Sequence, residues 1–475
     1  MVDDLRAALG TARVLVGAFE KALYAKDASA LDPSEPGVVC LVESTADVQA
    51  CVRVARAHGR PITPRGSGTG LAGGAVPLQE PVVVVTTKMQ GLREVNTEGR
   101  FAWVEPGIRN LDLSKQIAHH GLYYAPDPSS QQSSSIGGNV ATNAGGPHCL
   151  LHGVTSAHVL AVEVVLPDAS VVTLGGLDPD PPGYDLRGAF VGSEGTMGIV
   201  TAIAVRLLPI APDVRTLLAS FATIREASAA VSAIIASGIL PSALEMMDRN
   251  CVHAVENFAK AGLPLDAGAV LLVEVEGLAG GVTQAAEQIA GVCTAGGATN
   301  VRTAATAAER AALWKARKSA FGAIANIKPN YYLHDCVVPR TKLADIMDAV
   351  TRIADEQNII VLNVFHAGDG NLHPLLVFDK REPGVMERVH AAGDAIIRVC
   401  IEAGGMLSGE HGIGLEKRDY MPLVFSDVDL AQQALLRDTF DPDNCMNPTK
   451  VLPEGSRCGE LRGGAAHAHA EGVWV

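Results

Sequence analysis

The sequence predicts an α+β fold built of two unlike parts. Three observations carry that expectation. Strand-like and helical apolar patterns follow one another in β–α–β order from Gly37 onward. Three glycine-rich stretches, at 64–77, 126–146 and 192–201, punctuate that order. From about Asp213 strands and helices alternate without such loops. With 475 residues the chain is too long for one ordinary core, so two or more domains are expected.

Leu5–Ala25 has helical apolar spacing and is expected to be one packing helix. Gly37–Val42 reads as a strand. Ser44–His58 reads as a helix, with a Ser/Thr–Asp start and Gly59 beyond its end. Ile62 and Thr63 then lead into PRGSGTGLAGGAVP, which holds five glycines. Glycine lets another molecule approach the main chain, and successive free N–H groups form a nest for a diphosphate. Arg65 stands at its entrance. The stretch lacks the Gly-Lys-Ser/Thr of a Walker loop and is too dense in glycine for a dinucleotide fingerprint. On its own it reads equally as a surface turn.

PVVVVTT and Phe101–Pro106 read as strands, and NLDLSKQIAHHG as a helix. Its adjacent His119 and His120 face different ways and are taken as solvated. The stretch 126–146, PDPSSQQSSSIGGNVATNAGG, has almost no large side chain beyond Ile136 and Val140. Such a loop is either disordered or held against a ligand. The strands that follow at once favour the second. GSEGTMGIVT is the third glycine-rich turn and runs into a strand ending near Pro209.

Beyond Asp213, TLLASF, IREASAAVSAIIASG and SALEMMD read strand–helix–strand, and AVLLVEVEG with VTQAAEQIAGVCTAG repeats the theme. The segments from YLHDCVVP to HPLLVFD continue it. An open sheet backed by helices, a ferredoxin-like plait or an elaboration of one, is expected.

Two stretches there carry chemistry. NVFHAGDGNLHP and LSGEHGIGLEK offer His366, His373, Glu410 and His411. Imidazole with a carboxylate is a donor set for a divalent transition metal, and three protein ligands with an open position mark a catalytic site. The glycines near His366 and His373 argue for a tight turn with one histidine on each arm. Glu410 and His411 would point apart on a regular strand. Gly409, Gly412 and Gly414 make a loop there, so both can serve one site. The competing reading is four ordinary polar turn residues. LWKARKSAF reads as a helix with Arg317 and Lys318 beside Trp314. Arginine binds carboxylates bidentately, as an acid substrate requires. Lys315 and Lys318 are taken as solvated.

A net charge of −14 argues against a nucleic-acid partner. No apolar run is long enough to span a bilayer, and MVDDLRAALG lacks the features of a secretory signal. Nine scattered cysteines without C-x-x-C suit free thiols in a reducing cytoplasm and form no iron–sulfur cluster motif. The end of the chain, with His467 and His469, reads as a frayed tail.

PRGSGTGLAGGAVP, PDPSS…IGGNVATNAGG and GSEGTMGIVT, in that order, resemble the flavin-binding domain of the p-cresol methylhydroxylase / vanillyl-alcohol oxidase superfamily. The resemblance implies that the first loop holds the FAD diphosphate. The second would lie along the flavin, and the third would add backbone contacts. Carried over, it implicates Pro64, Arg65, Gly66, Ser67, Gly68, Thr69, Gly70, Leu71, Ala72, Pro126, Asp127, Ser130, Gly137, Gly138, Thr142, Glu194 and Ile199. Some relatives bond the flavin covalently through a histidine in the first loop. Gly66-Ser67-Gly68-Thr69 has none, so the implied FAD is non-covalent.

WKARKSAF, PNYYLHDCVVPR, NVFHAGDGNLHPLLVFD, SGEHGIGLEK and DPDNCMNPTKVLP resemble the FAD-linked D-2-hydroxy-acid dehydrogenases and oxidases, above all the flavin subunit of bacterial glycolate oxidase. The likeness runs from about Asp32 to about Pro453. It implies that His366, His373 and Glu410 bind a divalent ion, usually zinc. His411 would be the general base, Arg317 would grip the substrate carboxylate, and Asn371 would lie near the substrate. Relatives specific for the five-carbon diacid carry a lysine where this chain has Leu333, which favours glycolate or D-lactate.

The implied organisation is an N-terminal helical segment at 1–32 and a two-part FAD-binding domain at 33–212. A ferredoxin-like substrate or cap domain with the metal and catalytic motifs spans 213–418. A segment returning to the FAD domain follows at 419–455, with a flexible tail at 456–475. The implied reaction is hydride transfer from a small 2-hydroxy acid to FAD. A D-2-hydroxyglutarate-type dehydrogenase is the alternative within the class, and a non-catalytic scaffold subunit the alternative outside it. The likeness also implies iron–sulfur and second flavin-domain partner subunits, with peripheral attachment to the inner membrane through them.

Overall fold

The computed structural model describes residues 1–178 and 182–453; the tail expected at 456–475 lies outside the described residues. The opening helix is shorter than its spacing suggests. It spans Val2–Leu9, and a second helix at Ala18–Ala22 follows a short strand at Val14–Leu15. Gly10, at φ 89°, breaks it, because that left-handed backbone cannot continue a right-handed helix.

The first part holds two main sheets, and a separate antiparallel pair of Leu122–Tyr123 with Leu208–Pro209. One has the spatial order Val14–Leu15, Val38–Leu41, Val82–Val85, Ile62–Arg65, the last three strands being parallel. A parallel strand covered on both faces needs an unbroken apolar run, and Val82–Val85 is buried throughout. The helix Thr45–Ala57 crosses over between two of these strands. Ser44 caps it by accepting from Asp47 N–H, and it buries Val48, Cys51, Val52 and Ala55. This crossover delivers Ile62–Arg65 directly into the first glycine loop. The other sheet is antiparallel, in the order Leu92–Asn96, Phe101–Val104, Ile199–Arg206, Val159–Val165, Val171–Gly175.

The loop expected over 126–146 contains a helix, Ile136–Thr142, that the sequence pattern hides. Glycine inside a helix costs about 1 kcal/mol relative to alanine. Close packing explains one of the two: a Cβ on Gly137 would lie 2.5 Å from Pro106 Cβ. Ser135 starts the helix by accepting from Gly138 N–H.

The second part is a nine-stranded sheet made of two similar units. In the first, Asn300–Thr303, Asp213–Phe221, Ala269–Gly277 and Ala243–Asp248 lie side by side. That is fourth, first, third, second in chain order, the ferredoxin-like arrangement. In the second, Met406 bridges Cys336–Val337, which pairs with Asn371–Leu372, which pairs with Ile360–His366. The order is again fourth, first, third, second. The units join where Ala243–Asp248 pairs antiparallel with Ile360–His366, setting Glu245 opposite His366.

The last described residues return to the first part. Ile62 N–H donates to the Cys445 carbonyl at 2.8 Å, and Asn447 N–H to the Ile62 carbonyl at 2.7 Å. Asn447 Nδ2 also donates to the carbonyls of Gly74 and Glu194, each at 2.8 Å. Among the described residues no helix is long and apolar enough to cross a membrane.

Candidate active site

A cavity of about 480 Å³ opens between the two parts. One wall is the first glycine loop, the start of the helix Ile136–Thr142 and the third glycine turn. The opposite wall is Lys318, Phe321, Tyr331, His373, Glu410 and His411. Fifteen of the seventeen residues expected to bind the cofactor line it: Pro64 to Ala72, Ser130, Gly137, Gly138, Thr142, Glu194 and Ile199. Pro126 and Asp127 do not. The Pro126 carbonyl accepts from buried Asn110, and Asp127 turns away to His148 at 2.9 Å.

The cradle suits a large polar anion. Arg65 Nη1, Asn139 Nδ2, Ser193 Oγ and Glu194 Oε2 are buried on its wall without a hydrogen-bond partner among the described residues. Buried polar atoms are rarely left so. A Cβ on Gly66 would lie 2.4 Å from Ser135 Oγ, so side chains are excluded where a ligand must approach. Burial pushes the Glu194 carboxyl up to about 7, although Oε1 accepts from the amides of Gly414 and Ile413. These bonds tie the third glycine turn to the loop that carries His411.

His366 ends one arm of a hairpin and His373 interrupts the other, as the turn glycines suggest. Gly370, at φ 81°, makes the turn; a Cβ there would lie 2.1 Å from the Val338 carbonyl oxygen. Glu410 Oε1 lies 3.0 Å from His373 Nε2, 3.5 Å from His366 Nε2 and 3.5 Å from His411 Nε2. His366 Nε2 and both ring nitrogens of His373 are buried and make no well-formed hydrogen bond. Dehydrated donor atoms gathered around one point, with a carboxylate among them, suit a divalent cation. The His373 and His411 rings stack at 5.2 Å.

Electrostatics separate these groups. Burial lowers His411, but Asp335 and Glu410 outweigh it and hold the imidazole above its ordinary value. Burial lowers His373 as well, and there Glu410 does not fully compensate. Burial would raise Glu410, yet the three imidazoles hold it well below the carboxylate range.

The structure does not bring Arg317 to the cavity. It is 1% exposed, and its Nε donates to Glu245 Oε2 at 2.7 Å. Its neighbour Lys318, taken as solvated from the sequence, lines the cavity instead. Asn371 also lies off the cavity wall. It faces His366 across the hairpin and packs on Gly409, whose Cβ would lie 2.4 Å from Asn371 Cγ. Leu333 is buried in an apolar cluster.

Sequence reasoning missed two carboxylates. Fully buried Asp335 accepts from Ser408 Oγ at 2.5 Å, from the amides of Gly409, Glu410 and His411, and from Lys417 Nζ at 3.2 Å. It shapes the loop that presents Glu410 and His411. Glu245 holds His366. The signal was present, because each acid interrupts a largely apolar stretch, where burial demands partners.

Two family descriptions match the chain: the FAD binding domain over residues 36–175 and the C-terminal domain of FAD linked oxidases over residues 210–451. The chain belongs to the FAD-linked oxidases, and it is an FAD-dependent oxidoreductase. It is 44% identical to glycolate oxidase subunit GlcD of Escherichia coli, over 92% of this chain and 87% of the relative. It is 40% identical to glycolate oxidase subunit GlcD of Bacillus subtilis, over 92% and 93%. D-lactate dehydrogenase of Archaeoglobus fulgidus is 33% identical, over 88% and 92%. The fold matches p-cresol methylhydroxylase with a TM-score of 0.80 at 17% identity, over 96% of each chain. It matches 4-ethylphenol oxidase from Gulosibacter chungangensis with a TM-score of 0.79 at 19% identity, over 95% and 97%.

Proposed function

We propose that this protein oxidises a small 2-hydroxy acid, glycolate or D-lactate, to the 2-oxo acid. One observation carries the reading: His373, Glu410 and His411 share a cavity with the flavin loops. The names of the relatives, glycolate oxidase subunit and D-lactate dehydrogenase, point to the same substrate class.

FAD held non-covalently along Arg65–Ala72 and Gly137–Thr142 supplies the hydride acceptor. A divalent ion held by His366, His373 and Glu410, zinc being one that such a donor set accepts, would supply Lewis acidity toward the substrate hydroxyl. His411 takes the hydroxyl proton at Nε2. Asp335, 3.8 Å from His411 Nδ1, stabilises the imidazolium that results. Lys318 offers a cation to the substrate carboxylate from the cavity wall. Arg317 reaches it only by leaving Glu245. Phe321 and Tyr331 close the wall with apolar surface, which suits a short acid. The relatives named as subunits support partner subunits that take the electrons onward.

The test is the absorbance of the purified protein under anaerobic titration. A flavin spectrum that bleaches with glycolate or D-lactate, and not with D-2-hydroxyglutarate, is expected. A spectrum that no 2-hydroxy acid bleaches overturns the reading. A chelator should cut the rate while the flavin spectrum stays intact.

A further inference from the structure

We propose that Glu245 is a positioning residue for the metal site, fixing His366 as the ligand around which that site is assembled. The inference rests on the proposed metal reading and adds a residue to it from the other unit of the cap sheet. Glu245 and His366 are register partners on the two strands that join the ferredoxin-like units. Glu245 is 1% exposed, and its Oε1 lies 2.7 Å from His366 Nδ1. Its other oxygen takes Nε of Arg317, itself 1% exposed.

The chemistry follows from who can donate. A carboxylate only accepts, so Nδ1 carries a proton, and in the neutral ring that a metal ion binds Nε2 is the atom free to ligate. Nε2 is buried, makes no well-formed hydrogen bond, and lies 3.5 Å from Glu410 Oε1. A carboxylate behind an imidazole also fixes the ring plane and raises its basicity as a ligand. Arg317 supplies the charge that lets Glu245 remain ionised in a dry interior. His373 has no comparable support: its Nδ1 is 4.0 Å from Asp335. The side chain expected to grip the substrate is thus paired, in this structure, with the carboxylate behind the metal ligand.

The experiment measures zinc affinity of the FAD-loaded protein by competition with a chromophoric chelator, alongside flavin content. Glu245→Gln should bind zinc about 10- to 100-fold more weakly than the parent while retaining its flavin. Parent-like affinity in that variant overturns the proposal. Should Glu245→Gln fold poorly, Glu245→Asp decides. It keeps the charge but withdraws the oxygen from Nδ1, so its affinity must fall, and unchanged affinity overturns the role. Arg317→Lys keeps the compensating charge and should stay closer to the parent than Arg317→Met; equal losses count against charge compensation. A parent protein that binds no zinc sinks the metal reading itself, a different outcome from any of these.

Discussion

Asp335 shows how one buried charge can shape a catalytic loop. Burial would raise its carboxyl, but Lys417 and the imidazoles of His411 and His373 hold it well below the usual carboxylate range. Replacing it by alanine strands Lys417, which is 2% exposed, and breaking one partner of a buried pair costs about 3–5 kcal/mol. Asp335→Ala should therefore lower the melting temperature sharply, as read by calorimetry. His411→Ala should behave differently. It removes the proposed proton acceptor but no residue of the flavin loops, so turnover should vanish while the flavin stays bound. Lys318→Met should raise KM several-fold with little change in kcat, because charge on the cavity wall serves binding. The chemistry-bearing side chains were readable because they cluster in short glycine-framed motifs. For Glu245 and Asp335 the sequence signals burial but not the partner, because His366 and Arg317 reach Glu245 from other elements and the 408–411 loop reaches Asp335 from far along the chain.

At the scale of elements, glycine both revealed and concealed structure. The first loop was visible as a composition, and two atoms explain one of its members. Gly68 has φ 73°, and a Cβ there would lie 2.2 Å from Arg65 Nη2. Gly68→Ala should displace Arg65 and lower flavin occupancy, measured by the ratio of flavin to protein absorbance. The helix Ile136–Thr142 was invisible because its two glycines mask the helical pattern. The doubling of the cap sheet was equally hidden. The fourth strand of its second unit is a single bridge between Val337 and Met406, too short to leave a period-two pattern.

At the scale of the molecule, the two parts are latched by charge. His148 in the first part stacks on Trp314 of the second at 5.3 Å, and lies 2.9 Å from Asp127 and 3.4 Å from Glu274. Glu274 also takes Arg310, Trp314 and Thr216. Burial lowers His148, but Asp127 and Glu274 outweigh it and raise its pKa to about 10. An unfolded histidine titrates near 6.5. The folded value is the higher one, so this contribution is complete below about pH 6.5 and fades as pH rises through about 10. The melting temperature should drift down across that window, and His148→Asn should flatten the drift. A parent and variant with parallel profiles would show that the latch does not depend on that proton.

The hydrogen bonds of Ile62 with Cys445 and Asn447 form a parallel bridge between Ile62 and Met446, which makes the first sheet depend on a distant segment. The edge of the first sheet, which carries the glycine loop, is completed by a segment that lies beyond the whole cap sheet in the chain. Asn447 then clasps Gly74 and Glu194, on two separate glycine turns, at once. A chain cut before residue 445 would keep every residue that lines the cavity yet lack the clasp that sets the turns against each other. A nick that frees this segment should therefore loosen the hold on the coenzyme, read as a fall in the ratio of flavin to protein absorbance.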